Sequence, residues 1–567
     1  MHRLFFLLLP ITLLLGGVVN SQAQALSRGP YLQMGATSSV MVRWRTTTPT
    51  NSVVRYGTSA DNLDLMVSDS VIETEHRVHL TGLSPDTKYY YSIGNSSLVF
   101  ATGEGCFFVT APSEAKPTRI WVLGDSGTAD ANQRAVRDAY YTFTGERHTD
   151  LWLMLGDNAY NVGTDLEYQR AVFDIYPDML RKSVLWSTIG NHDGFSASSA
   201  SQTGPYYEIF TLPQQAEAGG VASGTEAYYS FDYGNIHFIC LDSYGTDRSS
   251  TGTMATWLRN DLAENSKDWV IAFFHHPPYS KGSHDSDFEW DMVEMRQEIL
   301  PILEEYGVDL VLSGHSHSYE RSRFIDGHYG PSSTFNNSMV VQDGSGRVED
   351  SGAYTKSASG PQSHAGAVYA VAGASGKISG GPLNHPAMFL SLNVLGSIVI
   401  DVDGERLDVQ YLADTGGVQD RFTLIKGNAG NTAPVVSVTN PVQGTVFVLP
   451  SEVTIEADAQ DSDGSVSRVD FFAGSKLIGT DTSSPYSVVW SDLPTGEHSL
   501  TAVATDNLGA ARTSAAVVVT VNSSAPLTTV TFRNGVKRYT GTRDTKLKAS
   551  QVKKNYGRST SLEALGT

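Results

Sequence analysis

The spacing of apolar and polar residues changes along the chain, and each change predicts a different kind of fold. From residue 26 to 114, short stretches such as SVMVRWRTT alternate apolar and polar positions between turn residues, which is typical of a β-sandwich. From 118 to 426, short apolar runs alternate with longer amphipathic segments, which indicates an α/β domain. From 432 to 521 the short alternating strands return and predict a second β-sandwich. We therefore expect a multidomain protein.

The strands and helices of the α/β domain can be placed from these runs. The apolar runs predict strands at RIWVL, LWLML, VLWSTI, WVIAFF and VDLVL. The amphipathic segments predict helices at NQRAVRDAYYTF, EYQRAVFDIYPDML and FEWDMVEMRQEILPILEEYG.

Local motifs in the flanking regions resemble known modules. In LTGLSPDTKYYYSI, the spacing of Leu83, Pro85, Thr87, Tyr89 and Tyr91 resembles the tyrosine corner of a fibronectin type III domain, which is a structural motif. Residues 432–521 resemble a bacterial Ig-like domain in VTIEADAQDSDGSVSRVDFF and HSLTAVATDNLGA. Residues 525–567 are basic and resemble the opening of a carbohydrate-binding-type module, so we expect a partial or truncated module there.

The first 25 residues have the order of a secretory signal peptide. A cation, Arg3, precedes an apolar run, and a small-residue segment ending at Ala25 follows it. Pro10 and two glycines interrupt the apolar run, which is too short to span a bilayer. No later segment is apolar enough to span a membrane. We therefore expect a protein secreted by a bacterium, to the periplasm or the exterior.

Charge and cysteine content narrow the classes of function. The formal net charge is −20, and it falls to −21 when Arg3 leaves with the signal peptide, which argues against nucleic acid as a partner. Cys106 and Cys240 are the only cysteines, too few for a disulfide scaffold. Two buried free thiols are favoured, and a single disulfide is the alternative.

Potential metal ligands follow each predicted strand of the α/β domain. Taken singly, each has an ordinary explanation, such as a turn aspartate or a surface histidine pair. In open α/β sheets, however, ligands bind beyond the carboxyl ends of the strands, so these groups are expected to meet in one cleft. The motifs are GDSG (Asp125), GDNAY (Asp157, Tyr160), GNHD (Asn191, His192), FFHHP (His275, His276) and GHSH (His315, His317).

The donor types indicate two metal ions. The set combines carboxylate, phenol and imidazole groups, and a single ion would leave some of them unused. Tyr160 is informative, because a phenol with a pKa of about 10 loses its proton near neutrality only to a strongly Lewis-acidic ion. This favours ferric iron at one position.

The order of these motifs resembles the metal-binding blocks of the purple acid phosphatases, in the calcineurin-like metallophosphoesterase superfamily, over about residues 27–426. The resemblance implies a purple acid phosphatase N-terminal domain at 26–114 and a layered α-β-β-α catalytic domain at 118–426. It implies an Fe(III) ion held by Asp125, Asp157, Tyr160 and His317. It also implies a divalent ion (Fe, Zn or Mn) held by Asp157, Asn191, His275 and His315, with Asp157 bridging.

Three further histidines are interpreted through the same resemblance. The family's His-x-Pro pattern matches His275 with Pro277, so His276 is expected to face outward. His192 follows a ligand, and His284 lies where family members carry an outer-sphere histidine, which implies that these two supply the proton to the leaving alkoxide. An imidazole suits this role because its ordinary pKa is about 6.5. For His284, an ordinary loop histidine is the alternative.

The sequence therefore predicts a secreted acid phosphatase with a broad substrate range, which hydrolyses small phosphate monoesters by attack of a metal-bound hydroxide. A phosphodiesterase or nucleotide-directed member of the superfamily is the alternative, because the loops at 196–226 and 324–365 set the substrate. A non-catalytic surface adhesion protein is more remote, since a relic would be expected to have lost donors. By analogy, the C-terminal modules are expected to attach the protein to a cell surface or polysaccharide.

Overall fold

The computed structural model describes residues 25–427, 433–449, 452–462, 465–491, 493–507 and 509–523. The predicted signal peptide, apart from Ala25, and the predicted module at 525–567 lie outside the described residues. The chain divides into two compact units. The first unit contains the described residues of Met1–Val341, Ser363–Ile400 and Tyr411–Gln419. The second unit contains the described residues of Gln342–Gln362, Asp401–Gln410 and Asp420–Thr567.

The N-terminal part of the first unit is an antiparallel sheet domain. Its strands are β1 (Leu26–Gln33), β2 (Ser39–Gly57), β3 (Leu65–Thr81), β4 (Lys88–Gly94), β5 (Val99–Ala101) and β6 (Phe107–Val109). β2 pairs with β1 through its first half and with β4 through its second, and register shifts near its middle separate the halves. Trp44 and Val54, one from each half, are buried in the core. The Tyr89 hydroxyl accepts a hydrogen bond from the Ser84 backbone N–H at 3.1 Å, as in a tyrosine corner.

The α/β domain follows in the chain. Its five predicted strands are confirmed, and they are strands β7, β8, β9, β12 and β13 of the structure. One sheet has the order β10-β11-β12-β13-β18-β14-β19, and another contains the parallel strands β7, β8 and β9. β16 and β20–β22 contain residues of both units, and β17 belongs to the second. The strands are β7 (Thr118–Leu123), β8 (Leu151–Met154), β9 (Val184–Ser187), β10 (Tyr229–Tyr233), β11 (Ile236–Cys240), β12 (Trp269–Phe274), β13 (Leu310–Ser313), β14 (Tyr319–Ser322), β15 (Phe324–Ile325), β16 (Val340–Gln342), β17 (Tyr354–Lys356), β18 (Val368–Ala372), β19 (Met388–Leu392), β20 (Gly396–Asp403), β21 (Arg406–Ala413) and β22 (Val418–Lys426).

Ring contacts establish the layers of this domain. Trp186 of β9 stacks on Phe231 of β10 at 3.7 Å, so the two sheets face each other. Tyr140 of α1 stacks on Trp121 of β7 at 4.2 Å, which covers the outer face of one sheet. Helix α6 lies against β11 of the other sheet, so the predicted α-β-β-α layering is confirmed. The helices are α1 (Ala131–Thr144), α2 (Asp165–Tyr168), α3 (Pro177–Leu180), α4 (Asn191–Gly194), α5 (Pro205–Ile209), α6 (Thr253–Glu264), α7 (Trp290–Glu294) and α8 (Leu300–Glu305).

The helix predicted between residues 288 and 307 is interrupted. A π-helical turn at Met295–Ile299 separates α7 from α8. Pro301 explains the interruption, because its ring nitrogen carries no hydrogen to donate to the carbonyl one turn earlier.

The described C-terminal part of the second unit is a β-sandwich, which confirms the predicted Ig-like domain. Its two sheets have the orders β23-β25-β28 and β24-β31-β29-β26-β27. Trp490 and Phe471, from different sheets, are both buried in its core. The strands are β23 (Val435–Asn440), β24 (Val446–Val448), β25 (Val453–Gln460), β26 (Val466–Ala473), β27 (Lys476–Asp481), β28 (Tyr486–Trp490), β29 (Gly496–Asp506), β30 (Ala511–Thr513) and β31 (Val517–Asn522).

Two further points from the sequence are answered by the fold. Cys106 and Cys240 are buried free thiols, as favoured above. Among the described residues, no helix is long and apolar enough to cross a bilayer.

A buried ion triad joins β10, β11 and α6. His237 is 1% exposed, and its ring nitrogens lie 2.7 Å from Asp232 Oδ1 and 2.8 Å from Asp261 Oδ2. Burial lowers the pKa of His237, but the hydrogen bonds to the two carboxylates outweigh burial and raise the pKa to about 9. The folded state therefore holds this proton more tightly than the unfolded chain, where the pKa is about 6.5.

The triad predicts a pH-dependent contribution to stability. Because the folded pKa is raised, the contribution is fully present below about pH 6.5 and is lost as the pH rises through about 9. It amounts to about 3 kcal/mol, since one pKa unit corresponds to about 1.4 kcal/mol. We expect His237→Gln to lower Tm strongly at pH 6 and much less at pH 10, as measured by calorimetry. The control is His498→Gln in the second unit, and an equal Tm deficit for His237→Gln at both pH values would contradict the prediction.

Candidate metal centre

The candidate ligands lie at the carboxyl ends of β7, β8, β9, β12 and β13, where the sheets open into loops. A glycine precedes four of these ligands in the sequence. Asp125, Asp157 and His315 have φ values of 54°, 50° and 64°, in the left-handed region that side chains rarely adopt. Backbone hydrogen bonds join the loops that carry these ligands. For example, the Asp125 N–H donates to the Gly156 carbonyl at 3.2 Å. The turns direct these side chains into a common site.

Three donors form the first group. The Tyr160 hydroxyl lies 3.1 Å from Asp125 Oδ1 and 3.3 Å from His317 Nε2, and His317 Nε2 lies 3.6 Å from Asp125 Oδ1. His317 Nδ1 contacts the Ser379 hydroxyl at 2.9 Å, so its other nitrogen faces the group. This is the set predicted to hold Fe(III) with Asp157.

The second group contains the other predicted ligands. Asn191 Oδ1 lies 3.0 Å from His275 Nε2 and 3.1 Å from His315 Nδ1. His275 Nε2 also lies 3.4 Å from Asp157 Oδ1. His275 Nδ1 donates to the Leu155 carbonyl at 2.8 Å, which leaves Nε2 unprotonated toward the group when the ring is neutral.

Asp157 lies where the two groups meet. Ligand atoms of Asp125, Asp157 and His275 all lie within 4.8 Å of one another. Atoms bonded to one ion at about 2.0–2.2 Å, at angles near 90–110°, lie roughly 2.9–3.6 Å apart, and the donor distances in both groups fall in or close to that range. The residues present therefore fit two ions that share Asp157.

The electrostatics of the site also suit cations. Burial lowers the pKa of His275 to about 3, that of His315 to about 4 and that of His317 to about 3. These imidazoles are neutral at ordinary pH and keep lone pairs for a metal. Burial and the nearby Asp157 charge raise the pKa of Asp125 well above its ordinary value. Among the described residues, neither carboxylate forms an ion pair with lysine or arginine, so a bound cation would supply the missing charge.

The expectation that His276 faces outward was wrong. His276 is 2% exposed, and its Nδ1 contacts the Ser243 hydroxyl at 2.9 Å. β12 ends at Phe274, so the alternation of side chains along the strand does not extend to this position. His276 packs beside His315, with ring centroids 4.4 Å apart, and supports a predicted ligand from behind.

The two predicted proton donors lie on different sides of the site. His192 Nε2 is 3.8 Å from Asp157 Oδ2, while its Nδ1 donates to the Asn161 carbonyl at 2.5 Å. The His284 ring stacks against the His315 ring with centroids 3.8 Å apart. Both side chains are 30% exposed, so both reach solvent. We call this solvent-exposed edge of the metal centre, formed by His192 and His284, the mouth of the site.

Glu289 is a site residue that the sequence reasoning missed. Its carboxylate accepts hydrogen bonds from His284 Nδ1 at 2.7 Å and from His315 Nε2 at 2.9 Å. Burial raises the pKa of Glu289, but these two bonds outweigh burial and hold the pKa below its ordinary value. No sequence signal distinguished Glu289 from the other acidic residues of the predicted helix.

Asp193 is a second missed residue, and it joins two ligand-bearing loops. It is fully buried and accepts hydrogen bonds from Asn158 Nδ2, from the Gly190 N–H, each at 2.9 Å, and from the Tyr168 hydroxyl at 2.5 Å. Burial and the Asp157 charge raise its pKa to about 7. Asp193 therefore positions the loops after β8 and β9 against each other.

Comparison with known proteins shows three family matches. Residues 28–110 match the purple acid phosphatase N-terminal domain, 118–319 the calcineurin-like phosphoesterases, and 434–502 the bacterial Ig domain. Purple acid phosphatase 23 of Arabidopsis thaliana is 32% identical over 280 residues, 44% of this chain and 58% of that protein. An uncharacterized protein of Mycobacterium tuberculosis is 30% identical over 344 residues, 53% of this chain and 63% of that protein. The chain thus spans less than two thirds of the length of these relatives.

A solved structure shares the fold. The purple acid phosphatase PPD1 from yellow lupin (Lupinus luteus) seeds superposes with a TM-score of 0.52 at 17% identity, over 70% of this chain and 75% of that one. The sequence and family comparisons together confirm the resemblance inferred from the strand-end motifs.

The close approach of the loops predicts that Gly190 is required for metal binding. A Cβ at Gly190 would lie 2.2 Å from the Asp157 backbone nitrogen and 2.3 Å from its Oδ1. Its φ of −101° suits any residue, so the effect would come from space alone. We expect Gly190→Ala to reduce the metal bound per chain by half or more, as measured by elemental analysis of purified protein.

The matched control for this prediction is Gly29→Ala. Nothing lies within 4 Å of a Cβ built at Gly29, so that variant is expected to bind metal like the wild type. Unchanged metal content in Gly190→Ala would show that Asp157 does not need its present position.

Proposed function

We propose that this chain is a purple acid phosphatase of the calcineurin-like phosphoesterases, and that it is a secreted enzyme that hydrolyses phosphate monoesters at a dinuclear metal centre. The observation that carries the proposal is the meeting of two donor groups at Asp157. One group includes the phenol Tyr160, which favours Fe(III), and the other includes the amide Asn191 and two imidazoles, which suit a divalent Fe, Zn or Mn ion.

The chain's own residues then have distinct tasks. When bound, the metal pair supplies Lewis acidity that offsets phosphoryl charge and lowers the pKa of water. His192 presents Nε2 beside Asp157 because its Nδ1 is committed to the Asn161 carbonyl. The imidazolium form of His192 can therefore donate the Nε2 proton to the leaving oxygen of the ester, and the neutral ring that remains keeps its Nδ1 proton on the Asn161 carbonyl.

His284 and Glu289 act from the opposite side. Glu289 joins His284 to His315, so it fixes the orientation of a predicted ligand and of a histidine at the mouth. The negative charge of the Glu289 carboxylate also repels a leaving oxygen, which gains negative charge, on that side. This arrangement supports a positioning role for His284, with His192 as the principal proton donor.

The identity of the metals can be tested by colour. Burial, Asp125 and Asp157 raise the pKa of Tyr160 well above its ordinary value, so the phenol stays protonated at neutral pH unless a strong Lewis acid binds it. We expect the purified protein to show a visible phenolate-to-iron absorption band, iron plus one divalent ion per chain, and hydrolysis of p-nitrophenyl phosphate. Tyr160→Phe should abolish the band, while Tyr90→Phe in β4 should keep it.

The other outcomes of this experiment separate the remaining functions. A colourless protein that hydrolyses esters would indicate two divalent ions, and faster hydrolysis of a diester than of a monoester would indicate a phosphodiesterase. A protein that is colourless, metal-free and inactive after reconstitution would favour the adhesion function.

Secretion is part of the proposal and rests on the first 25 residues of the sequence. The Ig-like domain would then attach the enzyme to a cell surface or polysaccharide. We expect N-terminal sequencing of protein from the periplasm or medium of a bacterial host to begin at Leu26. A product retained in the cytoplasm with residues 1–25 intact would contradict secretion.

A further inference from the structure

Three strongly exposed aromatic side chains lie on chain segments that also carry residues of the candidate site. Phe195, Phe288 and Trp290 are 59%, 82% and 69% exposed, and among the described residues no other phenylalanine or tryptophan is exposed to a comparable extent. Phe195 follows His192 by three residues, and the other two flank Glu289. Isolated exposed apolar residues are ordinary, but a concentration of them beside a pocket marks a binding surface.

Phe195 directly extends the site. Its ring centroid lies 5.3 Å from that of His192, which in turn lies 4.6 Å from that of Tyr160. The three rings therefore form a continuous row from the predicted Fe(III) group to solvent. Phe195 is the exposed end of that row.

A second apolar side chain lies on the adjoining loop. Val162 is 41% exposed and follows Asn161, whose carbonyl accepts the hydrogen bond from His192. The Ser196 hydroxyl donates to the Gly163 carbonyl at 2.6 Å and joins this loop to the segment that carries Phe195. The apolar groups of both loops thus flank His192.

The position of the proton donor relates this surface to the substrate. A general acid must reach the leaving oxygen within hydrogen-bond distance, so the alcohol part of the ester lies on the His192 side. That side presents Phe195 and Val162 to solvent, and an apolar group that covers them gains about 25 cal/mol for each Å² removed from water.

We propose that Phe195 and Val162 bind the organic part of the phosphate ester, so that the enzyme selects monoesters of planar aromatic or large apolar alcohols. This inference rests on the proposed phosphatase function and specifies its substrate class. Phe195 is a specificity-determining residue that contributes through contact with the alcohol group.

Competitive inhibition by phosphonates separates binding from the reactivity of the leaving group. Methylphosphonate and 1-naphthylmethylphosphonate carry the same acid on a stable C–P bond and differ in the apolar group. For the metal-loaded enzyme, we expect the naphthyl compound to bind at least tenfold more tightly. Phe195→Ala should weaken its binding by about tenfold, the factor for roughly 50 Å² of lost apolar contact, and leave methylphosphonate unchanged.

Further variants test the location of the surface. Val162→Ala should also weaken the naphthyl compound selectively, and Ile72→Ala, which removes a side chain 65% exposed on β3, should not. Calorimetric titration of each compound provides a readout that does not depend on turnover.

The outcomes distinguish this inference from the proposed function. If inorganic phosphate and both phosphonates fail to bind or inhibit the metal-loaded protein, the phosphatase proposal fails. A second outcome is that all three compounds bind while the two phosphonates show the same dissociation constant as each other, both in the wild type and in Phe195→Ala. In that case the apolar surface does not bind substrate and the inference is overturned. Equal weakening of both compounds by Phe195→Ala also overturns it, because Phe195 would then act only through His192.

Discussion

Two carboxylates, Asp125 and Asp157, are buried beside each other with exposures of 0% and 1%, and the rest of the site accommodates their charges. At a separation of about 4 Å, two unit charges repel by about 4 kcal/mol even at an effective dielectric constant of 20. Backbone N–H groups provide part of the compensation, because His315 donates to Asp125 at 2.7 Å and His192 donates to Asp157 at 2.9 Å. Burial lowers the pKa values of His275, His315 and His317, so these imidazoles are neutral and bound cations would supply the full positive charge that they do not.

This constraint accounts for the unusual backbone around the ligands. Left-handed residues cost of order 1–3 kcal/mol each and persist only where the surrounding structure enforces them. Here the loops are fastened to one another at strand ends, since Gly127 N–H donates to the Asp157 carbonyl at 3.1 Å and Gly314 N–H donates to the His275 carbonyl at 3.0 Å. The glycines permit contact distances that a Cβ would prevent, as at Gly156, where a Cβ would lie 2.5 Å from His275 Nδ1. Strain and charge are therefore concentrated in the same few residues.

The parts of the site predictable from sequence were those fixed by strand ends. Each apolar run ends at a polar donor, and parallel strands bring such ends to one edge, so the donors could be grouped without coordinates. The orientation of His276 was not predictable, because it lies beyond the last strand residue, where the neighbouring chain decides which way the ring points. Glu289 was missed for a similar reason. Its role depends on contacts with His284 and His315, which lie on other segments of the chain.

The N-terminal sheet domain contributes to the site through a short chain of contacts. Arg28 and Arg45 both donate to the Asp165 carboxylate, at 3.0 Å and at 2.6–2.7 Å. Asp165 begins α2, and in the same helix Glu167 accepts hydrogen bonds from three backbone N–H groups of the loop that follows Tyr160, the predicted phenol ligand. That loop supplies the carbonyl that orients His192 and carries part of the apolar surface beside it. The ion pairs to Asp165 are partly exposed and add little stability on their own. Their effect is positional, because movement of α2 would displace His192, the proposed proton donor, together with the proposed alcohol-binding surface.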